Sequence, residues 1–385
     1  MSRMSLQAAA WCLAALIGGR VAGAVTASTS APAKLAGDLS VEARRLAESA
    51  LKRFGEGYTT RIDSGRHIVY VSALDNVMLR RAMELLGRYH DVLGEMLFTK
   101  PARRNIVVVL PTLRDYRRYV PTRGVHGVYH RKTRTLMSIS FSSILVHEFV
   151  HALHDRHQTA LGQEHPIWMV EGLATLLQSS RIEKGRLTIL KDLQLPVIQS
   201  ALRTKKAVRL KVLAAMSQRA FLSRRKLHYA QAASVMAYLH ELGKLKEFYK
   251  AFHRTYSSDA AGLQTLCRVV GRSLAQVEQD WKTWVLSRKL PWKPARNPRA
   301  HLGIRMKPVQ VGVKVMGFLR GSVAARIGRL RVGDTVLSVA GQTVATAREL
   351  TRIVQSFRPG QIVEIEVIRD ARVVRIMHVL GAISR

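Results

Sequence analysis

The sequence predicts an α+β chain in two parts: a domain with a small sheet and a mostly helical lobe, then a small β-rich domain. Three observations carry this expectation. Between residues 40 and 140, short β-branched runs alternate with stretches of helical apolar spacing. From about residue 144 to 288 the apolar spacing is helical almost throughout. At residue 289 a basic, proline-rich stretch (KLPWKPARNPRA) intervenes, and short strands with glycine turns follow it. A chain of 385 residues has room for two domains that each bury a core. The expected boundaries are a signal peptide at 1–24, a disordered lead at 25–39, the larger domain at 40–288, a linker at 289–300 and the small domain at 301–385.

The N-terminus has a basic start at Arg3, an apolar run from Ala8 to Gly19, and a small-residue segment, Val21-Ala22-Gly23-Ala24, that suits a cleavage site. The apolar run is too short to span a bilayer as a stable helix. Export to a periplasmic or secreted location is therefore expected. Cys12 lies in this run, which leaves Cys267 as the one cysteine of a mature chain and no internal disulfide. Ala, Ser, Thr and Pro then dominate up to about Asp38, the composition of a disordered lead.

A helix is expected over Val41–Phe54, a strand over His67–Ser72 and a long helix over Val77–Leu97. Asn105–Leu110 (NIVVVL) reads as a buried strand closed by Pro111. Gly127–His130 and Leu136–Ser140 read as a hairpin around the basic turn RKTR.

Residues 144–157 read ILVHEFVHALHDRH, with His147, Glu148 and His151 in an HExxH arrangement. On a helix, positions four apart lie on nearly one face, so both imidazoles can converge on one metal ion while the carboxylate reaches a water held there. Ionisable groups on so apolar a helix are costly unless paired or metal-bound. A loop with Gly162 and Pro166 leads to PIWMVEGLATLL, a second apolar helix with one acidic residue, Glu171. Two histidines and a glutamate leave a fourth position open, the pattern of a catalytic zinc site.

These two motifs together resemble the gluzincin superfamily of zinc metallopeptidases, in particular peptidase-MA-like proteins whose second helix reads W-x-x-E-G-hydrophobic-A. Here those residues are Trp168, Glu171, Gly172 and Ala174. The resemblance implies one Zn²⁺ per chain on His147, His151 and Glu171, with Glu148 as general base. It also implies that a sheet edge pairs with substrate backbone, and either Gly127–His130 or Leu136–Ser140 could be that edge. Thr175, one turn after Glu171, could hydrogen-bond a liganding histidine, although many family members carry an acidic residue near there. A competing third ligand is His157, at the spacing of the metzincin family. That family has glycine midway to break the helix, whereas here the midway residue is His154. On an unbroken helix His157 points about 120° away from His151. Both His154 and His157 are expected to face solvent or to sit behind the ligands.

Helical spacing continues over Leu210–Met216, His228–Leu242, Leu245–His253, Ala260–Val269 and Leu274–Leu286. HYAQAASVMAYL resembles the superfamily's downstream helix, which implies an oxyanion donor at Tyr229, with His228 as the alternative. Trp281 and Trp284 read as core. Beyond the linker, residues 301–382 resemble a bacterial PDZ domain of the HtrA type. That resemblance implies a carboxylate-binding loop at Leu302, Gly303 and Ile304, a pairing strand from Arg305 to Lys307, turns at Gly333-Asp334 and Gly341, and a groove wall formed by the helix Thr346–Gln355. C-terminal peptides are the implied ligands.

Lys and Arg number 62 against 26 Asp and Glu, a net charge of +36. Residues 301–385 hold 14 basic and 5 acidic residues, +9 of that total, so charge follows length at this scale. No nucleic-acid motif accompanies it, so an anionic envelope surface is the expected partner of the charge and nucleic acid is not. The expectation is an exported zinc metallopeptidase acting on protein or peptide substrates. The alternative is a peptidase-like scaffold without turnover that binds peptides through its PDZ domain.

Overall fold

In the computed structural model of this chain, residues 31–288 and 299–383 are described, apart from 75, 100, 123, 124, 126, 140–142, 184, 190–193, 310, 311, 328, 341, 345, 358, 360, 361 and 371. The expected signal peptide with Cys12, residues 25–30, the linker up to residue 298 and Gly341 lie outside the described residues. The chain divides into two units, Met1–Arg288 and Lys289–Arg385.

In the first unit, helix α1 (Ala31–Phe54) precedes the antiparallel pair β1 (Thr59–Asp63) and β2 (Ile68–Ser72). Helix α2 (Asn76–Met96) crosses over to β3 (Ile106–Leu110), which runs parallel to β2. A short helix α3 (Leu113–Tyr119) and the hairpin β4 (Gly127–His130) and β5 (Thr135–Ser138) complete a sheet of order β1-β2-β3-β5-β4. Strands β2 and β3 are buried along their whole length, as parallel strands covered on both faces must be. Ala43, Ala47 and Ala50 of α1 pack with Val69, Val71, Val107, Val109 and Met137 in one core.

Helix α1 corrects the expected disordered lead, since residues 31–39 are helical. Proline is tolerated in a first helical turn, where no intrahelical donor is needed, and alanine favours helix. The Asn105 amide then holds the turn, donating to the Leu39 carbonyl at 2.9 Å and to Glu42 at 2.6 Å. Two further elements carry no readable signal. The TTRID of β1 is a half-exposed, polar outer strand. Helix α3 is seven residues long and starts on a Thr112 cap directly after Pro111.

The lobe after the sheet is helical: α4 (Ser143–Leu161) and α5 (Ile167–Leu177), a small hairpin of β6 (Ser180–Glu183) and β7 (Arg186–Ile189), then α6 (Leu195–Arg203), α7 (Leu210–Ala214), α8 (Gln218–Ser223), α9 (Arg225–Glu241), α10 (Leu245–Thr255), α11 (Leu263–Val270) and α12 (Leu274–Ser287). Trp281 is fully buried and donates to the Ser234 hydroxyl at 3.1 Å, tying α12 to α9. Among the described residues, no helix is long and apolar enough to cross a membrane.

The second unit has β8 (Arg299–His301), β9 (Ile304–Pro308), β10 (Val313–Phe318), α13 (Val323–Ile327), β11 (Thr335–Val339), β12 (Gln342–Thr343), α14 (Ala347–Gln355), β13 (Ile362–Arg369), β14 (Arg372–Val379) and β15 (Gly381–Ile383). Its main sheet runs β14-β13-β11-β10-β9 and β15 pairs with β8. Asp334, 1% exposed, takes both ends of a bidentate contact from Arg369 at 2.7 Å each and accepts from the Arg331 amide. That pairing supplies the compensation a buried carboxylate needs.

Candidate metal centre

Helix α4 places His147 and His151 one turn apart, and α5 returns Glu171 to the same point. The Nε2 atoms of the two imidazoles lie 3.0 Å apart. Glu171 Oε2 lies 3.5 Å from the first and 3.4 Å from the second. All three side chains are buried. Around a tetrahedral zinc with ligand bonds of about 2.0–2.1 Å, neighbouring donor atoms are separated by roughly 3.3 Å, so this triangle has the size of a zinc site. Among the described residues no well-formed hydrogen bond reaches the buried Oε2 of Glu171, which has only the two imidazole nitrogens near it, an arrangement that a cation would relieve. Burial by itself raises the Glu171 carboxyl, but the two imidazoles outweigh it and hold the group well below the usual carboxylate range. The donor set therefore fits a divalent zinc ion.

Two close approaches position this set. A β-carbon on Gly172 would meet the Ala232 carbonyl oxygen at 3.1 Å, so the glycine after Glu171 lets α5 lie directly against α9. Trp168, one turn before Glu171, donates to the Ala261 carbonyl at 3.1 Å and fixes the start of α5. On the other side of α4, strand β4 passes Glu148, which is buried and accepts a hydrogen bond from the Tyr129 amide. Burial pushes the Glu148 carboxyl up to about 7. His147 opposes that shift and the neighbouring Glu171 charge adds to it.

Of the two hairpin strands, β5 is paired on both sides and β4 is the outer strand, so only β4 can accept an added strand. The half-buried Tyr229 on α9 faces the centre: its ring lies parallel to that of His147, 12° between planes and 6.3 Å between centroids. His228 is buried, with Nδ1 on the Phe221 carbonyl at 2.7 Å.

Three expectations need correction. His154 and His157 do not face solvent. They are 0% and 1% exposed, packed around Phe98, Tyr249 and His165 on another side of α4. His154 Nε2 meets His165 Nδ1 at 2.8 Å, and His157 Nδ1 meets the Tyr249 hydroxyl at 3.0 Å. Thr175 is buried, but among the described residues its hydroxyl makes no hydrogen bond to a liganding histidine or to any other group. The residue that sequence reading missed is Tyr129: it acts through its backbone amide, and side-chain patterns do not report on that.

In the second unit, the outer strand β9 and helix α14 flank a groove lined by Met306, Ala347, Arg348, Thr351, Arg352 and Gln355. The side chains of Leu302 and Ile304 belong to the core. Gly303 has φ 76°, and a β-carbon there would lie 2.5 Å from the Ser322 Cβ. Only glycine fits this turn.

Residues 300–377 match the PDZ domain family, and this C-terminal unit is a PDZ domain. No curated protein matches the chain. Among solved structures, the HtrA-type protease AlgW with a tripeptide is 28% identical over 23% of this chain and 33% of that one, with a TM-score of 0.22. The HtrA3 PDZ domain bound to a phage-derived ligand is 22% identical over 22% of this chain and 86% of that one, with a TM-score of 0.19. An aminopeptidase N family protein from Idiomarina loihiensis is 15% identical over 84% of this chain and 66% of that one, with a TM-score of 0.38. This chain spans 30% and 35% of the length of two AlgW chains determined with a decapeptide.

Proposed function

We propose that the first unit is a gluzincin-type zinc metallopeptidase and that the PDZ domain of the second unit holds C-terminal peptides of the substrate. The observation that supports this most is the convergence of His147, His151 and Glu171, with Glu148 beside them and bonded to the outer strand β4. His147, His151 and Glu171 would hold the ion. When bound, zinc would polarise a scissile carbonyl and lower the pKa of an attacking water.

The remaining work falls to the chain. The outer edge of β4 would take the substrate backbone as an added strand and so orient it. The Glu148 carboxylate, in a water-poor position, accepts the proton of the attacking water and returns it to the leaving amine nitrogen. The Tyr229 hydroxyl donates to the oxygen that becomes negative as the carbonyl is attacked.

Export is part of the proposal and rests on residues 1–24. N-terminal sequencing of the protein recovered from its host should begin near residue 25.

The deciding experiment measures metal content and casein hydrolysis on one preparation, for the wild type and for Glu148→Gln. The expected result is one zinc per chain in both proteins, with hydrolysis lost by several orders of magnitude in the variant. A protein that takes up no zinc on reconstitution lacks this site. One that takes up zinc and hydrolyses nothing is the peptide-binding scaffold instead.

A further inference from the structure

Residues 203–226 read RTKKAVRLKVLAAMSQRAFLSRRK, with nine Lys and Arg and no Asp or Glu. With 62 basic and 26 acidic residues in 385, a stretch of this length would hold about four and about two. The charge is therefore concentrated here well beyond the chain's average. Lys205, Lys206, Arg209, Lys211, Arg219 and Arg224 are all exposed, and among the described residues none of these six forms an ion pair. A carboxylate near their backbone, Glu278, is already engaged: it accepts from the Leu210 amide at 2.9 Å and from Lys282 at 2.6 Å.

The segment is also fixed in place beside the metal centre. The fully buried Gln231 side chain, two residues beyond Tyr229 on α9, clamps the backbone of Val208 with two hydrogen bonds, of 3.1 and 2.5 Å. Further on, Ser217 caps α8 through the Ala220 amide, and the fully buried Phe221 of α8 lies 5.5 Å from the Tyr229 ring. Arg225 and Lys226 lie four and three residues before Tyr229 on α9, within about one helical turn of it. The C-terminal end of the basic run is thus held against the tyrosine that faces His147, while Val208 is tied to another face of the same helix α9.

We propose that residues 203–226 form the substrate-selecting rim of the metal centre and bind acidic, Asp- and Glu-rich stretches of the polypeptide presented to it. This rests on the peptidase reading and adds to it the class of substrate. Unpaired cations around a cleft raise the local concentration of an anionic ligand, and salt screens that gain. A rim so close to Tyr229 would act on chain segments that flank the scissile bond. An anionic membrane would meet the same charge and is the outcome that the test must separate.

The test uses the full chain. Binding of labelled peptides of equal length, with acidic, neutral or basic flanks on one core, is measured by anisotropy with the Glu148→Gln protein, and kcat/KM is measured with the wild type. Acidic flanks should improve binding by about 10-fold or more over neutral ones at about 50 mM salt, and the advantage should collapse near 0.5 M. The variants Lys205→Glu/Lys206→Glu/Arg209→Glu and Arg219→Glu/Arg224→Glu should each lose most of that advantage and keep their affinity for the neutral peptide. Equal binding of acidic and neutral peptides overturns the proposal, as does an advantage that survives both variants. Sedimentation with phosphatidylserine vesicles that needs these residues, without any peptide preference, also overturns it and assigns the surface to membrane. Acidic binding without any hydrolysis would defeat the peptidase reading alone. Hydrolysis with equal kcat/KM for all flanks would defeat this proposal alone.

Discussion

Gly127 lies so close to Glu148 that a β-carbon on it would stand 2.9 Å from the glutamate Cγ and 2.6 Å from the Ile144 Cγ2. Two residues later the Tyr129 amide bonds to the same glutamate. Strand β4 and the HExxH helix therefore set one another's position, and the glycine is what permits it. Gly127→Ala should keep its zinc, because no ligand is displaced, and lose about 10- to 100-fold in kcat/KM as the carboxylate shifts off its productive geometry. Unchanged kcat/KM at full metal content would show that β4 does not position Glu148.

The ligand set makes a separate prediction. His147→Ala and Glu171→Ala should each lose bound zinc on dialysis, measured by metal analysis. His157→Ala should keep it, because that ring faces Tyr249, although the protein should melt earlier after losing a buried, hydrogen-bonded side chain. Metal loss in His157→Ala but not in Glu171→Ala would point to a metzincin-like centre.

Parts of this site were legible in the sequence because the chemistry sits on strong local patterns. The HExxH spacing needs only a helix, and Glu171 arrives on an apolar helix with a recognisable W-x-x-E-G frame. The outer strand was not legible, since a hairpin's pattern does not say which strand finds another partner. That depended on β3 taking β5. The burial of His154 and His157 was hidden for a similar reason: Phe98, His165 and Tyr249 come from elsewhere in the chain. A helix of fewer than two turns such as α8 shows too few residues for a period to emerge. The charge looked even when the chain was cut at residue 301, and residues 203–226 stand out only at a finer scale.

Those buried histidines predict acid lability. Burial holds His157 down to about 4 and His165 to about 3, and keeps His154 well below its ordinary value, with His253 and Arg131 adding repulsion. Their unfolded values lie near 6.5. Between pH 6.5 and about 4 these three rings bind protons in the unfolded chain and not in the folded one, which outweighs the single opposite contribution of Glu148, so stability falls as pH falls through that window. Each ring adds up to about 1.4 kcal/mol per pH unit. Urea midpoints should be flat above pH 7 and drop steeply below 6.5, and His157→Gln should make the drop shallower. A midpoint independent of pH between 7 and 4.5 would contradict this account.

Tyr229→Phe tests the oxyanion role without changing the packing of the ring. Its phenyl ring can still lie parallel to His147, so structure and zinc content should persist while kcat falls by about 100-fold. An unchanged kcat would leave Tyr229 as a packing residue.

The PDZ groove makes the last prediction. An added peptide strand on β9 would run past Met306 and face Thr351 and Gln355 of α14 across the groove. Thr351 is exposed, so Thr351→Trp can fill the groove without disturbing the core beneath it. If the domain holds substrate tails, it raises their effective concentration at the cleft and leaves the chemistry alone. The variant should then raise KM for substrates with an apolar C-terminal tail and leave kcat on short peptides unchanged. Loss of short-peptide hydrolysis in Thr351→Trp would mean that the domain activates the peptidase. Tailed substrates with an unaltered KM would mean that the groove recruits nothing.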